Sequence, residues 1–134
     1  MAKLTTVEGI GERQAQKLAD AGIGTTDALL AQGKTPQGRQ EIAEKTGISE
    51  GLILDWLNRI DLFRVKGIGE EYSDLLESAG VDTVPELAQR NPENLYQTIM
   101  EVNSEKKLVR QPPGQRQVAD WVEQAKQLPR VIEY

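Results

Sequence analysis

The sequence predicts an all-α protein assembled from two fused, duplicated helical units related by a pseudo-two-fold. Three observations carry this. A stretch with two glycines around one isoleucine occurs twice, as Val7-Glu8-Gly9-Ile10-Gly11-Glu12 and as Val65-Lys66-Gly67-Ile68-Gly69-Glu70. Each copy opens a helical run that closes on Ala-Gly and a β-branched residue, Ala21-Gly22-Ile23 and Ala79-Gly80-Val81, and these landmarks keep one offset of 58 (65 − 7, 79 − 21). Between them, apolar residues recur at helical spacing with capping and stop residues at the ends, and no segment reads as a convincing strand.

In chain order, Leu4, Val7, Ile10, Ala15 and Leu18 fall on one side of a turn and a helix that Gly22 stops. Thr25 caps a short helix through Leu29 and Leu30, ended by Gln32-Gly33, and Thr35-Pro36 starts a helix that runs to Thr46 and stops at Gly47. Ser49 caps the next helix, whose stripe of Leu52, Ile53, Trp56, Leu57 and Ile60 is expected to be buried. After the second glycine turn comes a helix from about Glu70 to Ala79. Thr83-Val84-Pro85-Glu86 then reads as a capping box, and Asn91-Pro92 begins a helix carrying Leu95, Ile99, Met100 and Val102. Residues 104–114 are polar, basic and broken by Pro112-Pro113-Gly114, the pattern of a loop. The last helix carries Val118, Trp121, Val122, Ala125 and Leu128 and stops before Pro129.

The later parts of the halves also correspond. Asp55-Trp56-Leu57 matches Asp120-Trp121-Val122 at an offset of 65 (120 − 55), and the growth from 58 has the size of the 104–114 insertion. The units are therefore expected over residues 1–64 and 65–134, within one compact domain, with Trp56 and Trp121 in the core and Ile10 and Ile68 anchoring the turns.

Composition narrows the chemistry. Without cysteine or histidine, disulfides, thiolate and imidazole nucleophiles and ordinary zinc sites are excluded. No nucleophile-plus-base arrangement, phosphate-binding loop or dinucleotide fingerprint is present. Glu12, Glu70, Glu71 and Asp74 lack the spacing of a calcium loop. No cofactor, no metal and no enzymatic activity are expected. No apolar run approaches the roughly 20 residues that cross a bilayer, and Met1-Ala2-Lys3-Leu4 lacks the apolar stretch of a signal peptide. The expectation is a cytoplasmic protein without a membrane partner. The net charge of −5 speaks against general nucleic-acid binding. Residues 65–103 carry two basic side chains against eight acidic ones, whereas 104–134 carry six basic against four acidic.

The spacing of Leu4, Val7, Gly9, Ile10, Gly11, Ala15 and Leu18 resembles the helix-hairpin-helix motif of SAM-like helical domains; Leu62, Val65, Gly67, Ile68, Gly69 and Leu76 repeat it, with Ser73 where alanine is usual. Nearly the whole chain from Val7 to Pro129 resembles a bacterial family catalogued as domain of unknown function 4332. Besides the glycine turns, this rests on Gly38-Arg39, Thr46-Gly47-Ile48-Ser49, Trp56, Asp61-Leu62-Phe63-Arg64, Leu75 through Thr83 and Asn91 through Leu95. That likeness implies a fold and no activity.

The helix-hairpin-helix likeness implies a phosphate site at hairpin N–H groups and the following helix start. Its contacts would be Gly9, Ile10, Gly11, Arg13 and Lys17 in the first copy and Lys66, Gly67, Ile68 and Gly69 in the second. Glu70 and Glu71 stand in the first turn of the second helix, where a like-charge pair about 4 Å apart costs on the order of 4 kcal/mol before screening. The competing reading is that both turns are packing devices. Lys106, Lys107, Arg110 and Arg116 form the one clear positive cluster, open to nucleic acid, an anionic partner or the acidic half of another copy. Ile42 through Leu57 also resembles a helix-turn-helix, whose exposed side would offer Glu50, Asp55, Asn58 and Arg59, two carboxylates that disfavour a phosphate backbone. The sequence thus points to a non-enzymatic binding or adaptor module with a protein partner. Nucleic-acid backbone binding through the first hairpin and the 104–116 segment is the alternative, and self-association stays open.

Overall fold

The computed structural model describes residues 3–134; Met1 and Ala2, part of the signal-peptide reading, lie outside them. Those residues form eight α-helices, one 3-10 turn and no strand; a single antiparallel bridge pairs Lys3 with Thr25. The chain divides into two compact units. The first comprises Met1–Asp61 and Arg130–Tyr134, the second Leu62–Pro129.

The first unit holds the 3-10 turn Leu4–Thr6 and helices α1 (Glu12–Asp20), α2 (Thr26–Gly33), α3 (Pro36–Thr46) and α4 (Glu50–Leu62, whose last residue falls in the second unit). Helix starts follow the expected caps: the side chains of Thr25, Thr35 and Ser49 accept from the backbone N–H of Ala28, Gly38 and Leu52. α1 ends in a Schellman motif, with Ile23 N–H donating to Leu18 O at 2.8 Å and Gly22 N–H to Ala19 O at 2.9 Å. That pairing brings buried Ile23 onto buried Leu18. α2 and α3 meet so tightly that a Cβ on Gly38 would stand 1.9 Å from the Gln32 carbonyl oxygen. Ile42, Ile53, Trp56, Leu57 and Ile60 complete the core. Leu52, expected in the buried stripe of α4, is 36% exposed. It sits in the first turn, at the edge of the face that Ile53 centres.

The first unit closes with a segment that sequence patterning assigned to the second. Ile132 is buried, Glu133 N–H donates to Lys34 O at 2.7 Å, and Glu133 O accepts from Arg39 Nη2 at 2.7 Å. Tyr134 Oη lies 2.6 Å from Asn58 Oδ1, so Asn58 is 8% exposed and does not stand on the open side of α4, where the helix-turn-helix reading placed it. Arg59 is half-buried.

The second unit holds α5 (Glu70–Ser78), α6 (Val84–Gln89), α7 (Pro92–Lys106) and α8 (Gln115–Gln127), with α8 packed on α6 and α7, and α5 on α7. Its core gathers Val65, Ile68, Leu75, Leu76, Val81, Leu87, Leu95, Ile99, Val118, Trp121 and Val122. α5 ends as α1 does, with Val81 N–H on Leu76 O at 2.8 Å and Gly80 N–H on Glu77 O at 3.0 Å. Thr83 caps α6, but the returning carboxylate of Glu86 accepts from Asp82 N–H at 3.3 Å, one residue earlier than a standard capping box uses. The 104–114 segment is not a loop throughout. α7 continues to Lys106 because Ser104, Glu105 and Lys106 are polar without being helix breakers, and the chain leaves the helix only at Lys107, with φ 51°.

Candidate functional site

Both glycine turns are built alike from residues of their own unit. In the first, buried Val7 and Ile10 bracket the turn and Ile10 N–H donates to Val7 O at 3.0 Å; in the second, Ile68 N–H donates to Val65 O at 3.1 Å. The reversal needs a left-handed backbone at the first glycine, φ 95° at Gly9 and 98° at Gly67. A Cβ there would stand 3.1 Å from Trp56 Nε1 and 2.9 Å from Trp121 Nε1 respectively. Each tryptophan is 1% exposed, in the core as its helical stripe predicts, and neither Nε1 finds a hydrogen-bond partner. The indole is thus the floor on which each turn rests.

The second glycine serves differently. Gly11 (φ −82°, ψ 179°) and Gly69 (φ −109°, ψ −162°) are in extended conformation, and an added Cβ would touch nothing within 4 Å. Each is the N-cap of its helix without a capping side chain, as is Gly114 before α8. At these three helix starts no cap side chain accepts from the first amides, unlike those that threonine, serine or asparagine caps. Their first turns differ in charge: Glu12 on α1, Glu70 and Glu71 on α5, and no acid on α8, where Arg116 stands exposed.

Several of the amides that the motif would offer an anion are already bonded. Those of Ile10 and Ile68 close their own turns. Lys66 N–H donates to Gln124 Oε1 at 2.8 Å, while Gln124 Nε2 donates to Lys66 O at 3.1 Å and to Asp120 Oδ2 at 2.8 Å. A side chain of α8 therefore clamps the second turn. Gly9, Gly11, Arg13 and Lys17 are exposed in the first copy, and Lys66, Gly67 and Gly69 in the second.

The basic segment is pinned rather than free. Asn103 accepts from Val109 N–H at 3.0 Å and donates to Val109 O at 3.2 Å, and Tyr72 Oη donates to Gln111 O at 2.9 Å. Val109 and Pro113 are buried, whereas Lys106, Lys107, Arg110 and Arg116 are exposed. The segment borders a groove of about 860 Å³ in which Lys107 and Arg110 share the lining with Glu71 and Tyr72. Tyr72 in turn packs on Trp121, ring centroids 5.2 Å apart. Sequence reasoning passed over Asn103, Tyr72 and Gln124 because each acts on main-chain atoms distant in sequence, which leaves no local signal.

Among the described residues, no group of three or more acidic side chains is placed to hold a metal ion, and no helix is long and apolar enough to cross a membrane. An all-helical chain whose two units each rest a glycine turn on a buried tryptophan is the class of protein that these features define. The chain belongs to the family described as domain of unknown function (DUF4332), which it matches over residues 8–128. No solved structure matches it.

Proposed function

We propose that this chain is a cytoplasmic, non-enzymatic binding or adaptor module made of two duplicated helix-hairpin-helix units, and that its partner is a protein. The duplication is supported by the recurrence of the same turn hydrogen bond, the same Schellman ending and the same glycine on indole contact in both units. One observation favours a protein over a nucleic acid: both hairpin helices open on exposed carboxylates, Glu12 in one and Glu70 with Glu71 in the other. A phosphate approaching the amides would meet those charges first, and the net charge of −5 adds no counterion release to offset them.

The start of α8 favours a second reading, nucleic-acid backbone binding. Gly114 leaves the helix without a side-chain cap, its first turn holds no acid and includes exposed Arg116, and Lys107 and Arg110 in the preceding segment are also exposed. Fluorescence anisotropy with labelled duplex DNA and single-stranded RNA separates the two. The protein-partner reading expects no binding at about 50 mM salt. Binding that falls steeply toward about 200 mM, and is lost on Lys107→Glu with Arg110→Glu, would transfer the function to the second reading. For the protein partner, affinity capture should retain it on wild type and lose it on Glu70→Arg, Glu71→Arg; equal capture by both removes the hairpin surface from the interface.

A further inference from the structure

Residues 130–134 follow α8 in sequence but pack with the first unit. The cradle that receives them reads both main chain and side chains. The Glu133 peptide is bonded on both sides, its N–H to Lys34 O and its C=O to Arg39 Nη2, each at 2.7 Å. Arg39 is 5% exposed and its Nη1 donates to Gly33 O at 2.9 Å, so one buried guanidinium ties the α2–α3 corner to the segment. Ile132 is enclosed in the core, and the Tyr134 hydroxyl meets buried Asn58 at 2.6 Å.

Burying a guanidinium is costly unless its N–H groups are satisfied, and the Glu133 carbonyl is one of the two acceptors that satisfy this one. The cradle therefore needs an occupant. Nothing in these contacts requires the occupant to come from the same chain. Just before the segment, Pro129 O accepts from Arg64 Nη2 at 3.0 Å within the second unit, so the step from Pro129 to Arg130 passes from one unit to the other. Among its side chains Ile132 alone is fully enclosed, and the bonds to Lys34, Arg39 and Asn58 that leaving would break are the ones that the same segment of a second copy would remake.

We propose that the cradle formed by Lys34, Arg39 and Asn58 is a segment-exchange site, which accepts residues 130–134 from a second copy of this chain in place of its own. Exchange of an identical element preserves every contact and adds only the cost of association, so it becomes favourable as concentration rises. The inference is independent of what the glycine turns hold.

Complementation tests it on the full chain. Arg39→Met spoils the cradle and leaves the segment intact; Ile132→Ser spoils the segment and leaves the cradle intact. By light scattering each variant alone should be monomeric and their mixture should contain a heterodimer, while wild type dimerises with rising concentration. A labelled peptide of residues 128–134 should bind the Ile132→Ser chain at least about tenfold tighter than wild type, whose own segment competes, and should not bind Ile132→Ser with Arg39→Met. If circular dichroism shows Ile132→Ser unfolded, Tyr134→Phe replaces it; that ring is 51% exposed, so the fold should persist and only the bond to Asn58 be lost. A mixture that stays monomeric, or a folded segment variant that binds no more peptide than wild type, overturns the proposal.

Discussion

A methyl group added at Gly9 does two things that one added at Gly11 does not. It forces an L side chain into φ 95°, and it brings a Cβ to 3.1 Å from a buried indole nitrogen. At Gly67 the approach is closer still, 2.9 Å at φ 98°. Gly9→Ala and Gly67→Ala should therefore each destabilise by about 2 kcal/mol, combining backbone strain with overpacking, and Gly67→Ala should cost at least as much. Gly11→Ala and Gly69→Ala should cost less than about 1 kcal/mol, the difference between glycine and alanine at an N-cap. Because each unit contains one tryptophan, fluorotryptophan NMR follows the two units by separate resonances during urea unfolding. Equal losses at all four glycines would contradict the turn geometry. In sequence the four glycines look equivalent, since the motif carries two per copy. The indole beneath the first of each pair arrives from a helix far along the chain and makes them different.

Helix boundaries are where local chemistry speaks most directly. Thr25, Thr35, Thr83 and Asn91 cap their helices in the structure as their sequence positions suggest, and replacing any one with alanine should cost about 1 kcal/mol by thermal unfolding. Lys107 ends α7 at φ 51°, the only non-glycine residue at positive φ among those described. Lys107→Gly should stabilise the second unit by about 0.5–1 kcal/mol, because glycine adopts that conformation without the steric penalty of a Cβ. Gly38 behaves in the opposite way. Within α3 it would ordinarily gain from replacement by alanine, but the Cβ would collide with the Gln32 carbonyl at 1.9 Å, so Gly38→Ala should be the most damaging of the glycine substitutions, at about 3 kcal/mol or more. Sequence patterning misjudged residues 104–106 for a related reason. It equated polarity with loop, whereas the end of α7 is set by the backbone of Lys107 and by Asn103 binding both polar atoms of the Val109 peptide.

For the molecule as a whole, the decisive residue is Arg39, which joins positions 94 apart in the chain. Arg39→Met keeps most of the apolar stem but strands the Gly33 and Glu133 carbonyls, and should cost the first unit about 2–4 kcal/mol, read on the Trp56 resonance. An unaltered first unit would show that the closing segment contributes nothing to it. The eight helices, their capping residues and the two glycine turns were legible in the linear order because caps, stops and apolar periodicity act over a few residues. The return of residues 130–134 to the first unit was not, since that segment carries no periodicity and its partners Lys34, Arg39 and Asn58 lie on other elements. Nor was it legible which amides of the glycine turns are bonded within the chain. Gln124 engages Lys66 across a separation of 58 residues, and such bonds exist only once packing has brought the elements together, whereas helix signals are read by the chain from its nearest neighbours.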